Sequence, residues 1–409
     1  MNEDLKINLE RLISTFDTSS SIGVTKNNGL NRIGLTSDDK KMRDIFVEWL
    51  KDEGLDIRID DLGNIYGKRC GTSPDENPVV IGSHLDTQPN GGRFDGILGV
   101  LSSLEVIRVL NEKDIKTKRS IEIVNFTLEE GARFGIPMEG SGVITGNYEK
   151  EYVYKLNDKN NVTFKEALES IGYRGEIVNR LKNPGFFVEL HIEQGPMLEI
   201  NDKQIGIVEG VKGVTKFEVV IEGQASHAAY PAIGRRDALV ASSEMVLFID
   251  SITEQFDDLS TTVGVFEVSP SLYSMSAGRV KFTFDVRHIN DQIRAKAIKL
   301  IINEIKKIAN EKTLNYEVNE FWNIDGTYFS NKINNLIENS IVKRDYTYQY
   351  ITSGAGHDAK FFNDLCDSTV IFTPSKDGLS HCEEEFTSFD DIEKAANVLL
   401  DITYDLANK

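Results

Sequence analysis

Four short fragments, each rich in acid or histidine side chains and each set beside a short apolar run, constrain this chain more than any other feature. The first is Gly82-Ser83-His84-Leu85-Asp86-Thr87 with Gly91-Gly92-Arg93-Phe94-Asp95-Gly96. The others are Glu129-Glu130-Gly131-Ala132-Arg133-Phe134, Glu189-Leu190-His191-Ile192-Glu193-Gln194-Gly195 and Ser380-His381-Cys382-Glu383. Val79-Val80-Ile81 ends just before His84, and Ile121, Ile123 and Val124 lead to Glu129. Phe187, Val188, Leu190 and Ile192 carry His191, and residues 368–373 precede His381. Strand followed by functional loop is how an open α/β sheet presents ligands, at the carboxyl ends of its strands. The alternation of buried strands with helices predicts a largely parallel central sheet.

The remaining pattern divides the chain. Apolar spacing predicts helices over 5–13, 38–52 and Ile97–Leu110. A break comes at Gly210-Val211-Lys212-Gly213. After it, Lys216–Glu222 alternates apolar and polar residues, 237–249 is helical, Val280, Phe282, Phe284 and Val286 alternate again, and 293–308 is a long amphipathic helix. This β-α-β-α order predicts a small α+β domain with one solvated sheet face. It is inserted over 211–324 into an α/β domain made of 1–210 and 325–409. A length of 409 residues suits two domains.

A lone buried histidine usually belongs to a core, and a Glu-Glu pair usually faces solvent. Here the fragments occur together in strand-end loops, and as a set they supply the ligands of two close cations. Imidazole and carboxylate suit Zn²⁺, Mn²⁺ or Co²⁺, and a carboxylate can bridge. His84 and His191 are expected on one ion, Glu130 and His381 on the other, with Asp95 between them. Asp86 is expected to fix the tautomer of the His84 ring. Glu129, adjacent to Glu130, is left with a free carboxylate beside the site, the position of a general base. Two cations about 3.5–4 Å apart acidify water and polarise a carbonyl, so the implied reaction is hydrolysis of an amide-like C–N bond.

Composition narrows the partners. A formal net charge of −19 argues against a nucleic-acid or anionic-membrane surface. No apolar run approaches the ~20 residues that cross a bilayer. The amino terminus lacks the basic and apolar regions of a signal peptide, and the three cysteines form no pairing pattern, so a cytoplasmic location is expected.

These motifs resemble the amidase, hydantoinase and carbamoylase branch of the two-metal aminoacylase/carboxypeptidase superfamily. That branch holds N-carbamoyl-L-amino acid hydrolases, β-ureidopropionases and allantoate amidohydrolases. The resemblance rests on GSHLDTQPNGGRFDGILGVL at 82–101, EEGARFG at 129–135, ELHIEQGP at 189–196, GHDA at 356–359 and Ser380-His381. It implies a two-metal exopeptidase-like catalytic domain with a central mixed sheet, and an inserted α+β lid that also forms a homodimer. It implies two divalent ions per subunit (Zn or Mn, with Co or Ni as alternatives) and Glu129 as the catalytic base. Substrate contacts are implied at Gln194, His227 and Arg287, and at Gly356 of the GHDA segment. His227 is expected to reach the partner subunit's site and stabilise the oxyanion. Arg287 is expected to hold a substrate carboxylate, a role that suits the guanidinium fork.

Two segments depart from the family pattern. The run after the lid histidine is His227-Ala228-Ala229-Tyr230-Pro231-Ala232, shorter than usual. Ser274 stands where the family carries a substrate-binding asparagine, and a hydroxyl offers one donor where an amide offers two. The expected activity is release of the carbamoyl (ureido) group from an N-carbamoyl amino acid or β-amino acid. The alternatives are allantoate amidohydrolase, N-acyl amino acid or dipeptide hydrolase and, more remotely, a non-catalytic small-molecule-binding protein on the same scaffold.

Overall fold

The computed structural model describes residues 5–409. It separates into two compact units, one comprising the described residues up to Gly210 with Phe329–Lys409, the other Val211–Tyr328. The second limit thus lies at Tyr328, beyond the 324 expected from the sequence pattern. The strands of the first segment are β1 (Asp56–Ile59), β2 (Ile65–Arg69), β3 (Val79–His84), β4 (Ile121–Phe126), β5 (Phe186–Ile192) and β6 (Ile205–Val211). Next come β7 (Gly213–Glu222), β8 (Ser260–Ser269), β9 (Arg279–His288), β10 (Asn315–Ile324) and the two-residue β11 (Thr327–Tyr328). The chain then returns with β12 (Tyr348–Ser353) and β13 (Asp367–Thr373).

In the larger unit the sheet order is β1-β2-β4-β3-β5-β13-β6, with β12 also on β6. Its middle is parallel: β3 pairs with β4 and β5, and β13 pairs with β5. Its flanks are antiparallel, β2 on β4 and β6 on β13. The sheet is therefore mixed, and the parallel prediction holds only for its centre. That centre positions the site. Register sets His84 opposite Phe126 and His191 opposite Phe372, so four carboxyl-terminal strand ends lie along one edge. All six residues of β3 and of β4 and all seven of β5 are buried, which explains why apolar residues predominate in them without strict alternation. The helix Ile97–Glu112 packs on β3 and β5, and the helix Phe389–Ala407 packs on that helix and on β5 and β13.

The first helix is Leu9–Ser20 rather than 5–13. Asn8 accepts a hydrogen bond from the Arg11 amide at 3.1 Å and caps it there. Leu5 and Ile7 contribute their apolar side chains to the core ahead of the helix, each 6 % exposed.

The second unit is an antiparallel four-stranded sheet in the order β10-β7-β9-β8. Phe217, Val219, Ile221, Val280, Phe282 and Phe284 pack against Ala241, Met245, Ile249, Ala297, Ile301 and Ile305 of the helices Ala238–Ser251 and Asp291–Glu311. The order is β-α-β-β-α-β, so the sequence reading missed β8 and β10. Both are edge strands with no fully buried residue, and a strand without a buried face leaves little alternation to detect. Among the described residues no helix is long and apolar enough to cross a membrane.

Candidate metal centre

The edge formed by β3, β4, β5 and β13 gathers His84, Glu129, Glu130, His191 and His381 around Asp95. The Asp95 carboxylate faces two ways. Oδ1 lies 3.1 Å from His191 Nε2 and 3.7 Å from His84 Nε2, and Oδ2 lies 3.3 Å from His381 Nε2. His381 Nε2 is also 3.3 Å from Glu130 Oε2. Two potential ligand groups result, His84–Asp95–His191 and Asp95–Glu130–His381, each with ligand atoms within 4.8 Å of one another. They share Asp95.

Local chemistry aims each side chain. The Nδ1 of His84 donates to the Asp86 carbonyl at 3.0 Å, which leaves the Nε2 lone pair facing Asp95 and Glu129. That Nε2 is buried and has no hydrogen-bond partner. His191 uses the same device through the Ile192 carbonyl at 2.9 Å. Gln88 steers Glu130, its backbone N–H donating to Oε1 at 3.2 Å and its side-chain amide to Oε2 at 3.0 Å. Gln194 donates to Asp95 Oδ2 at 2.7 Å. Leu128, Gln194 and His381 adopt left-handed backbone at φ 56°, 55° and 58°. Non-glycine residues are rare there, and such strain gathers at functional sites. Gly96, at φ 66°, has no room for a side chain, because a Cβ would sit 2.2 Å from His84 Nε2.

Asp86 meets the His84 ring through its backbone and the glutamate turn through its side chain. Its backbone carbonyl orients the His84 ring, whereas its carboxylate accepts the amides of Glu129 and Glu130, each at 3.4 Å. Asp86 therefore holds the turn that presents both glutamates. Its carboxylate Oδ1 is 3.7 Å from His84 Nδ1, beyond hydrogen-bond reach.

The electrostatics are those of a site built for cations. Burial, then the carboxylates of Asp358 and Glu130, push Glu129 well above the usual carboxylate range. Burial and Asp95 do the same to Glu130. Burial also opposes the Asp95 charge, but His191, His381 and His84 outweigh it and hold Asp95 well below the ordinary value. Burial drives His84 down to about 4. For His191 burial is overcome by Asp95 and Glu189, and the pKa rises to about 9. Buried carboxylates that repel one another, set around an unpartnered imidazole lone pair, fit divalent cations with nitrogen and oxygen ligands.

A third group, Glu189–His191–His357, is wholly buried. Its polar atoms are engaged: Glu189 accepts from Ser83 Oγ (2.6 Å) and the Ala359 amide (3.0 Å), and His357 Nε2 meets Ser353 Oγ at 2.9 Å. The His357 ring packs edge-on against His191, with centroids 4.6 Å apart. Cys382 is a half-buried free thiol outside all three groups.

The other expected site residues are not members of these ligand groups. Gly356 is exposed, in the loop before His357. His227, Ser274 and Arg287 belong to the Val211–Tyr328 unit. Within it, His227 bridges Met275 and the Ala228 amide donates to the Ser274 carbonyl at 2.7 Å, so the two departures from the family pattern occupy one loop cluster. The Arg287 guanidinium lies 3.0 Å from Asp285 on the same strand. Sequence reasoning missed Glu385, 5 % exposed, which binds the Asp95 loop. Its only signal was a place in the acid run after His381.

The sequence profile of Peptidase family M20/M25/M40 matches residues 80–405. An N-carbamoyl-L-amino-acid amidohydrolase of Rhizobium meliloti is 36 % identical over 401 residues, 97 % of this chain and 96 % of that protein. Another, from a Pseudomonas species (strain NS671), is 33 % identical over 402 residues, 96 % and 97 % of the two chains. A crystal structure of an amidase of the hydantoinase/carbamoylase family from Burkholderia multivorans superimposes with a TM-score of 0.97 at 37 % identity, covering 99 % of each chain. The branch read from the motifs is thereby borne out, and the chain belongs to Peptidase family M20/M25/M40.

Proposed function

We propose that this protein is an amidohydrolase that removes the carbamoyl group of an N-carbamoyl amino acid or β-amino acid, yielding the amine, CO₂ and ammonia. Members of the family are metal-dependent. The observation that carries the reading is the two-way Asp95 carboxylate, with one oxygen toward His84 and His191 and the other toward His381. In this reading His84 and His191 would hold one divalent ion, Glu130 and His381 would hold a second, and Asp95 would contribute to both. Zinc or manganese fits the donors, with cobalt or nickel as alternatives. When bound, such cations supply Lewis acidity to the substrate carbonyl and acidify water.

The chain's own residues do the rest. Glu129 accepts a proton from the attacking water as the water oxygen bonds to the carbamoyl carbon. It returns that proton to the leaving amino-acid nitrogen as that C–N bond breaks, and the carbamic acid released decomposes to CO₂ and ammonia. Its carboxylate Oε2, 3.6 Å from His84 Nε2, is aimed into the site. Gln194 and Gly356 line the substrate side, Arg287 takes the substrate carboxylate, and His227 of a second copy stabilises the oxyanion in a homodimer. Ser274 and the short run after His227 adjust specificity. The reaction belongs in the cytoplasm, in keeping with three free cysteines.

The test is ammonia release from a panel of N-carbamoyl amino acids, ureidopropionate, allantoate and dipeptides, with and without added Mn²⁺ or Zn²⁺. Metal-dependent release from N-carbamoyl substrates is expected. Release from allantoate alone would move the assignment to that branch. No turnover by metal-loaded protein would leave a binding protein.

A further inference from the structure

The Asp95 loop and the His381 loop are far apart in sequence, and one buried acid joins them. Glu385 Oε1 accepts the amides of Phe94 at 3.0 Å and Asp95 at 3.1 Å. Its Oε2 accepts the Ser380 hydroxyl at 2.9 Å, and the same hydroxyl oxygen lies 2.7 Å from Asp95 Oδ2. Glu385 thus binds the backbone of Asp95, and through Ser380 also touches one oxygen of its side chain. The close approach requires Gly92, where a Cβ would fall 2.0 Å from Glu385 Oε1.

We propose that Glu385 is a positioning residue of the paired-cation site. Its carboxylate sets the Asp95 loop against the Ser380-His381 segment, so that the two oxygens of Asp95 point to different histidine groups. The proposal rests on the paired-cation reading above. His84 and His191 stand on β3 and β5 and are oriented by carbonyls of their own segments. Asp95 and His381 come from the loops that Glu385 ties together. Loss of the tie therefore weakens the ion between Asp95, Glu130 and His381 more than the other ion. Residues that orient ligands in this way change metal affinity by about 10–100-fold when removed.

The experiment is equilibrium dialysis of the full chain against Mn²⁺ alone, with bound ions counted per chain and melting of the metal-free form recorded separately. Wild type should bind two ions. Glu385→Ala should keep the tighter ion and bind the weaker one about 10–100-fold less tightly. Glu385→Gln should stay close to wild type, since its carbonyl oxygen still accepts both amides and its NH₂ still reaches the Ser380 oxygen. Gly92→Ala displaces Glu385 without removing it and should repeat the Glu385→Ala pattern, which keeps the idea testable if Glu385→Ala does not fold. The proposal is overturned if Glu385→Ala and Gly92→Ala bind both ions as wild type does, or if Glu385→Gln loses as much as Glu385→Ala. A single ion on wild type would overturn the paired-cation reading itself.

Discussion

Glu129→Gln isolates the proposed base with little disturbance of the fold. The backbone of Glu129 carries its structural contacts: its carbonyl accepts the Met138 amide at 2.7 Å, and its amide donates to Asp86 at 3.4 Å. Both survive the substitution. The side chain is nearly isosteric and lies 3.6 Å from His84 Nε2, aimed at the site rather than into the core. Burial and the Asp358 and Glu130 carboxylates raise the proton affinity of Glu129. An uncharged amide there relieves repulsion, so stability should hold or rise. Positioned general bases contribute about 10²–10⁴-fold. At 1.36 kcal/mol per tenfold, the barrier should rise by roughly 2.7–5.4 kcal/mol. The assay is the initial rate of ammonia release from an N-carbamoyl amino acid, with metal content by elemental analysis and melting temperature on the same sample. Expected are normal metal content, unchanged or higher melting temperature and a kcat reduced at least a hundredfold. A metal-replete variant within about tenfold of wild type would refute Glu129 as the base.

Metal affinity should rise with pH toward about 9. The His191 imidazole carries a proton below that pH in the metal-free protein, and a metal ion needs the neutral ring. The ion that His191 would hold must therefore displace that proton at pH 7, and the displacement vanishes once the ring is neutral. Titration calorimetry in buffers of different ionisation enthalpy should detect proton release at pH 7 that fades above pH 9. Release that does not change with pH would contradict the Asp95–His191 account. Gly96→Ala should cost about 1–2 kcal/mol for its left-handed backbone and also displace the His84 ring. Gly135→Ala, at φ 87° with open space around its Cβ, carries strain alone. Equal metal content in the two variants would show that the Gly96 contact with His84 is irrelevant. Mixed dimers of His227→Ala and Glu129→Gln subunits should recover activity that neither parent has, and their inactivity would remove the cross-subunit role of His227.

Local sequence carried much of the architecture. Short clusters of apolar residues marked β3, β4 and β5 because those strands are buried on both faces. The alternation of Val280, Phe282, Phe284 and Val286 marked β9 because one face is buried and the other partly wet. Chemistry at strand ends could be read for the same reason: a histidine or acid just past such a run has nowhere to lie but the sheet edge. Other features had no local trace. The edge strands β8 and β10 bury no residue fully. The extent of the first helix turned on one cap, Asn8. Asp86 had the right position but worked through its carbonyl as well as its carboxylate.

What the order of amino acids determined by itself was which side chains stand at strand ends, because burial and periodicity act over a few neighbouring residues. Tertiary structure alone decided how those ends face one another. The split of the Asp95 oxygens between His191 and His381, and the grip of Glu385 on the Asp95 amide across 290 residues of chain, exist only once the strands align in parallel. Hydrogen bonds of about 3 Å between distant segments are set by the register of the whole sheet, and no window of sequence contains it.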